Sequence, residues 1–270
     1  AGTLTAVDGG RAMVEGLNAA GVDFVCEPLH AEHTHTLPCA LHNLATALRS
    51  HLRTGSSPLC TGLGNHEFDV GEANFAARMR AFRGKVLNSN CDREAFKEMP
   101  KYEILRVGTR TVRMGGFVTA DASSYRPSAF PDPSHVPQAC IDLWEDVKAR
   151  EAVTPDAFVP LTHQSVADDH ATIDLLAGHA EPTSRMPAVL GGHDHEVHLE
   201  EHEGSFVVKV GQDAENIGFV DIFWTAKGAV QTSVALLPAT CFTPEPTAEA
   251  FVQRKHGMLE EMMKLPLTDL

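Results

Sequence analysis

The stretch AVLGGHDHEVH at residues 188–198 decides the fold, because an apolar run in it ends abruptly on glycine and histidine. Two other apolar runs break in the same way, at GLGNHEFDVG (62–71) and at LTHQ (161–164). A helical pattern precedes both AFVPLTH and AVLGGH, so strands and helices alternate along the chain. This alternation predicts an α/β fold, in which ligands gather at the carboxyl ends of the strands. We therefore expect the three polar strand ends to meet in one site.

The remaining periodicity supports the same fold class. NFAARMRAF (74–82) has helical spacing, and KVLNSN (85–90) has the pattern of a strand that ends on polar residues. YEILRV and TVRMGGFVT flank Gly108 and Thr109, which predicts a β-hairpin. Two further strands are predicted at SFVVKVG and IGFVDIFW. A helical pattern at residues 9–20 precedes the short apolar run VDFVC, and Asp8 is placed to cap that helix.

Composition limits the possible partners. The chain has 270 residues with 43% hydrophobic content, which suits one large α/β domain. It contains 36 acidic and 22 basic residues and has a formal charge of −14, which argues against nucleic acid or an anionic membrane as a partner. No apolar run approaches the roughly 20 residues that span a bilayer. Six cysteines lie far apart without a C-x-x-C pair, which predicts free thiols.

Residues 27–62 have the character of an insertion. One helix-like stretch lies there between flanks rich in proline, serine and glycine, and deleting the segment would join VDFVC to LGNHEFDVG. Three interpretations stay open: a surface excursion, sequence never meant to be translated, and a histidine-rich metal site. The last would use four histidines, His30, His33, His35 and His42.

The polar strand ends carry the residue types that a two-metal hydrolase needs. Imidazole and oxygen donors suit zinc, manganese or iron. Two such ions about 3.5–4 Å apart can hold a phosphate and lower the pKa of a bridging water. In GGHDH the glycines allow a tight turn, and a spacing of two would place His193 and His195 on one side of an extended chain.

The order of the motifs GNHEFD, LNSNC, LTHQ followed by DD, GGHDHEVH and VKVGQDAENIGFVDI resembles the calcineurin-like metallophosphoesterases, and within them the 5′-nucleotidase group. The resemblance covers roughly residues 8–26 and 63–237. It implies a layered α/β/β/α sandwich that here lacks its first strand or strands. It also divides the chain into a catalytic domain at 1–240, with the insertion 27–62, and a C-terminal extension at 241–270 with an amphipathic helix.

The resemblance also implies roles for individual residues. Asn65 of GNHE, His163 and His193 would be ligands of one divalent metal ion, and His195 would be a ligand of a second. His66 would be a catalytic acid that protonates the leaving group, and Asp69 would orient it. An alternative role for Asp69 is to cap the helix that follows.

This sequence departs from the family pattern near its start. In that family a strand ending in D-x-H and a second ending in G-D precede GNHE, and neither precedes it here. The expected function is hydrolysis of a small phosphate ester, with 5′-nucleotides as the substrate class. The alternative is a non-catalytic relic or binding module with an incomplete metal site.

Overall fold

The computed structural model describes most of the chain after residue 59. The described residues are 24–25, 60–67, 69, 71–127, 131–150, 154–179, 185–244 and 246–264. The helix predicted at residues 9–20, the predicted cap at Asp8 and the four histidines of the insertion lie outside them.

Strands form most of the regular structure in the described part. They are β1 (Phe24–Val25), β2 (Cys60–Gly62), β3 (Lys85–Leu87), β4 (Tyr102–Val107), β5 (Arg110–Val118), β6 (Ala157–His163), β7 (Ala188–Gly192), β8 (Val197–His202), β9 (Ser205–Val210), β10 (Asn216–Trp224) and β11 (Val230–Pro238). The α-helices are α1 (Glu72–Ala81), α2 (Val136–Arg150), α3 (Val166–Ala177) and α4 (Pro246–Met263).

A mixed six-stranded sheet is the centre of the fold, with the strand order β4-β5-β6-β7-β9-β8. Strands β5, β6, β7 and β9 are parallel to one another, and an antiparallel strand lies at each edge. The right-handed crossovers expected of parallel strands require long connections, and α2 and α3 supply two of them. The carboxyl ends of β5, β6 and β7 consequently lie together at one edge of the sheet.

Helices α2 and α3 cover one face of this sheet. Phe117 of β5 and Phe158 of β6 pack there against Trp144 of α2 and Ile173 of α3. All four side chains are at most 2% exposed. Burial of apolar side chains such as these is the main source of stability in a domain, at roughly 25 cal/mol per Å² of apolar surface buried.

Two small sheets cover the opposite face. Leu161 of β6 packs there with Cys60 of β2 and Leu87 of β3, and Ile222 of β10 packs against the same cluster. Strands β1, β2 and β3 form a parallel three-stranded sheet, and β10 and β11 form an antiparallel pair. On the outer side of the three-stranded sheet, Phe75 of α1 packs with Val86 of β3. The order of layers is therefore α/β/β/α, which confirms the predicted fold class.

Most sequence-based elements are confirmed, and three strands, β2, β8 and β11, were missed. The hairpin forms at Gly108, whose φ of +61° suits glycine, and β6 and β7 are neighbouring parallel strands. Strands β8 and β11 lie on partly exposed surfaces, and the partial alternation of apolar and polar residues in them is a strand signal that the sequence prediction overlooked. The last three residues of the predicted insertion, Cys60–Gly62, form β2, the middle strand of the three-stranded sheet.

Cys60, Cys91 and Cys140 are free thiols, as the sequence predicts. Cys60, Cys91 and Cys140 are buried and Cys241 is partly buried. Burial raises the pKa of Cys60 to about 11 and the pKa of Cys91 to about 12, so both thiols are protonated near neutral pH. Among the described helices, none is both long enough and apolar enough to cross a membrane.

The two sheets approach each other closely at Gly116 in β5. A Cβ atom at this position would lie 2.3 Å from the carbonyl oxygen of Leu87 in β3. The neighbouring Gly115 faces the helical layer, where a Cβ atom would lie 2.6 Å from Leu143 Cδ2. Both glycines of RMGGFV are therefore needed for the spacing between layers.

We expect Gly116→Ala to lower the free energy of unfolding by about 1–3 kcal/mol or more, because the added methyl meets backbone that cannot move aside. Gly257→Ala is the control. Gly257 lies exposed in α4 with no atom within 4 Å of an added Cβ, so this change should stabilise by about 0.5–1 kcal/mol. Urea denaturation of both variants measures the two effects. Equal stability of Gly116→Ala and the wild type would contradict the close approach.

Candidate active site

Three parallel strand ends form the floor of the candidate site. In the register of the central sheet, His163 of β6 lies opposite Val118 of β5 and opposite Gly192 of β7. The chain leaving β5 stays beside this point, because Thr119 N donates a 2.8 Å hydrogen bond to His163 O. The motifs LTHQ and GGHDH are therefore neighbours in space, as the sequence predicts.

The Asn65 amide contacts the His163 imidazole directly. Asn65 Oδ1 lies 2.8 Å from His163 Nε2, and both residues are 4% exposed. Asn65 Nδ2 donates a 2.6 Å hydrogen bond to Ser124 O. That bond fixes the orientation of the amide, since only the oxygen can then face His163. A buried amide oxygen and an imidazole nitrogen are thus in contact at this place in the site.

The turn that receives the Asn65 amide is held by a carboxylate. Asp121 Oδ1 accepts a 2.9 Å hydrogen bond from Ser123 N, and Asp121 Oδ2 accepts one of 2.7 Å from Ser123 Oγ. These hydrogen bonds from Ser123 are the main reason that the pKa of Asp121 is lowered, and the nearby His193 lowers it further. Asp121 is therefore an anion at the rim of the site.

His193 completes a cluster with the other two side chains. Its ring centroid lies 5.1 Å from that of His163, with an angle of 66° between the ring planes. Burial is the main cause of a lowered pKa at His193, and Lys209, His195 and His66 lower it further while Asp194 opposes them. The imidazole is consequently neutral near pH 7, which is the form that ligates metal ions.

His195 is exposed and lies close enough to His193 to lower its pKa. The prediction that an extended chain places His193 and His195 on one side is wrong. The chain bends through residues 193–196, and φ is +94° at His193 and +62° at His195. Left-handed backbone is rare for residues with a side chain, and it collects at functional sites. A local turn, rather than the two-residue repeat of a strand, sets the relation between these rings.

His66 and Asp69 form a pair at the mouth of the site. His66 Nδ1 lies 3.0 Å from Asp69 Oδ2, and the side chain of His66 is 42% exposed. Arg126 Nε lies 3.8 Å from the same carboxylate oxygen. The N-cap of α1 is Gly71, so Asp69 does not have the alternative capping role. The geometry instead matches a carboxylate that orients an imidazole.

Sequence reasoning missed a buried ionic network below the two histidine loops. Lys209 of β9 is 1% exposed, and its ammonium group forms a 3.0 Å salt bridge with Asp169, which is fully buried. Burial raises the pKa of Asp169, and Lys209 partly offsets this effect. The signal was present in SFVVKV, since a lysine among valines in a core strand must find a buried anion.

The assembled donors suit a divalent metal ion of the zinc, manganese or iron class, because they are imidazole nitrogens and an amide oxygen. In the described part of the chain, no three histidine, cysteine or carboxylate side chains are gathered closely enough to hold a metal ion. A site at this place therefore depends on the Asn65 amide oxygen as one of the ligands.

Comparisons with known proteins identify the fold. No protein-family model and no curated protein matches the sequence. Among solved structures, the 5′-nucleotidase precursor from Thermus thermophilus is 20% identical with a TM-score of 0.61, covering 83% of this chain and 47% of its own length. The calcineurin-like phosphoesterase YfkN from Bacillus subtilis is 17% identical with a TM-score of 0.61, covering 84% of this chain and 80% of that one.

A third solved structure, the sulfate thiohydrolase SoxB from Thermus thermophilus, is 18% identical with a TM-score of 0.65 and covers 96% of this chain and 41% of its own length. The chain thus has the fold shared by calcineurin-like phosphoesterases and 5′-nucleotidases, as its motifs predict. It spans less than half the length of the nucleotidase precursor and of SoxB.

We expect His193 to titrate below the ordinary histidine pKa of about 6.5 in the metal-free protein. A depressed pKa means that the folded state binds this proton less readily than the unfolded state. The contribution of His193 to stability is therefore complete above pH ~6.5 and is lost as the pH falls towards the folded-state pKa. NMR titration of the histidine ring protons measures this pKa, and His193→Gln identifies its signal. A midpoint above 6.5 would show that burial does not dominate.

Proposed function

We propose that this chain carries the site of a metal-dependent phosphoester hydrolase, with 5′-nucleotides as the substrate class. The observation that carries the proposal is the meeting of Asn65 Oδ1 with His163 Nε2 at 2.8 Å, with the His193 ring 5.1 Å from that of His163. Three motifs far apart in the sequence supply these donors. The nucleotidase and phosphoesterase folds among the similar structures support the same class.

In this proposal Asn65, His163 and His193 hold one divalent ion, and His195 contributes to a second. A bound pair of such ions lowers the pKa of a water and stabilises charge on phosphoryl oxygens. The Asn65 side chain is already oriented as a ligand, because its hydrogen bond to Ser124 O keeps the amide oxygen facing His163. His193 is prepared as well, because burial keeps its imidazole neutral.

His66 is the proposed general acid. Asp69 accepts a hydrogen bond from Nδ1, which fixes the ring orientation and leaves Nε2 to deliver a proton to the leaving oxygen. Its exposure suits contact with an entering substrate, whereas the buried Asn65 and His163 suit a fixed ligand site. Only four of the proposed residues are metal ligands, so a binding module with an incomplete site is the rival outcome of the experiments below.

Loss of a ligand should weaken metal binding strongly. We expect His163→Gln and Asn65→Leu each to weaken Zn²⁺ or Mn²⁺ binding by about 100-fold or more, since even residues behind the ligands contribute 10–100-fold. His202→Gln is the matched control, because His202 lies away from the site. Its Nε2 atom is 2.6 Å from Asp174 Oδ1. Isothermal titration calorimetry measures the affinities. Unchanged binding in both ligand variants would refute the proposed metal site.

His66→Ala should separate catalysis from metal binding. In a version of the protein that supplies both upstream motifs, D-x-H and G-D, we expect the turnover of a 5′-nucleotide to fall by roughly 10²–10⁴, the usual contribution of a general acid. Metal content should stay intact, and Asp69→Asn should have a smaller effect because the imidazole remains.

In the 270-residue chain itself, we expect both changes to be nearly silent, because the proposal gives the second metal ion a single ligand, His195, and neither D-x-H nor G-D precedes GNHE in this sequence. Phosphate release measures the turnover, and metal analysis of the same samples measures the metal content. Robust metal-dependent hydrolysis by this chain would contradict the assignment of ligands, and loss of metal in His66→Ala would make that residue a ligand.

A further inference from the structure

The Lys209 ammonium group connects the two loops that carry His163 and His193. Lys209 Nζ donates a 2.6 Å hydrogen bond to the carbonyl oxygen of Gln164 and one of 3.0 Å to that of Gly192. The first oxygen belongs to the residue after His163, and the second to the residue before His193. One buried cation therefore bonds to the backbone of both loops next to the proposed ligands.

Two carboxylates surround the same ammonium group. Asp169, near the start of α3, forms a salt bridge with Lys209 at 3.0 Å, and Asp194 contacts it from within GGHDH. The other oxygen of Asp194 accepts a hydrogen bond from Val166 N at 3.3 Å, so this side chain links the loop after β7 to the first turn of α3. Gln164 Nε2 donates to Asp169 Oδ1 at 2.9 Å and closes the network.

Space for this network depends on Gly191. A Cβ atom at that position would lie 2.8 Å from Lys209 Cε and 3.0 Å from Asp169 Oδ2. Gly191 is the register partner of Lys209 in the parallel pair of β7 and β9. The first glycine of GGHDH therefore makes room for the lysine side chain under the loop.

We propose that Lys209 is a positioning residue that fixes the spacing of His163 and His193 and thereby the affinity of the metal site; this rests on the proposed function. The backbone at His193 has a φ of +94°, which a residue with a side chain rarely adopts unless its surroundings hold it there. Lys209 bonds to Gly192 on one side of His193 and to Asp194 on the other. Lys209 therefore keeps the backbone at His193 in this conformation.

A purely electrostatic role predicts the opposite effect on metal ions. Lys209 with Asp169 and Asp194 has a formal charge of −1, and Lys209→Met would leave −2 while both carboxylates stay ionised, which attracts a cation more strongly. The double variant Lys209→Met with Asp169→Asn returns the charge to −1. It also removes the unpaired buried anion, so it should fold even where the single variant does not. Neither variant restores the bonds to Gln164 and Gly192.

Arg113→Met is the matched control. Arg113 is a 4% exposed cation in β5 of the same sheet, and its register partner is Phe158, at the other end of β6 from His163. Its loss reports the general consequence of removing a buried cation from this sheet, without touching either histidine loop.

Two measurements on these variants test the proposal. The first is the nuclear Overhauser contact between the His163 and His193 rings in the metal-free protein, and the second is Zn²⁺ affinity by calorimetry. We expect both Lys209 variants to lose the ring contact and to bind Zn²⁺ about 10–100-fold more weakly. Arg113→Met should keep both properties.

Retention of the ring contact and of wild-type affinity in the double variant would overturn the proposal. Tighter Zn²⁺ binding by Lys209→Met with an intact ring contact would overturn it too, in favour of a charge effect. If the wild type binds neither Zn²⁺ nor Mn²⁺, the proposed metal site fails, and the ring contact in the metal-free double variant decides the role of Lys209.

Discussion

The parallel register of β5, β6 and β7 is the constraint on which the site depends. Because His163 lies opposite both Val118 and Gly192, the loops that follow all three strands start at one level of the sheet. Asn65 then needs only a short chain from β2 in the neighbouring layer to meet His163. A slip of one residue in β6 would turn His163 to the other face of the sheet and separate it from both partners.

Burial divides the site into two parts with different physical character. Asn65, His163 and Lys209 are almost fully enclosed, where low dielectric strengthens each polar contact and penalises any that is missing. His66 lies at the surface, where its interaction with Asp69 is screened by water. The enclosed part is therefore rigid by construction, and the exposed part is the one that a ligand in solution can reach.

Local patterns in the sequence predicted the parts of the fold that depend on local chemistry. The apolar runs that stop at His163 and Gly192, and the hairpin around Gly108, follow from periodicity and turn residues alone. The convergence of strand ends in α/β sheets predicted that the motifs GNHE and LTHQ meet, whereas the pairing of Asn65 with His163 was implied by the resemblance to the calcineurin-like metallophosphoesterases.

Features that depend on distant partners could not be predicted in this way. The role of Lys209 requires knowing that Gln164, 45 residues away, presents its carbonyl oxygen to the ammonium group. The bend at His193 is equally hidden, since left-handed backbone is uncommon for histidine and nothing in the local sequence requires it there. Strand β8 has a mixed pattern because it lies at a sheet edge, so its burial depends on neighbours.

The enclosed network also limits how this protein can change during evolution. A larger residue at Gly191 would displace Lys209, and a neutral residue at 209 would leave Asp169 buried without a countercharge. A stepwise change of Gly191, Lys209 and Asp169 therefore passes through an intermediate protein that is less stable than either end point. Lineages that replace the lysine are expected to replace the aspartate as well, and the three positions should vary together among related sequences.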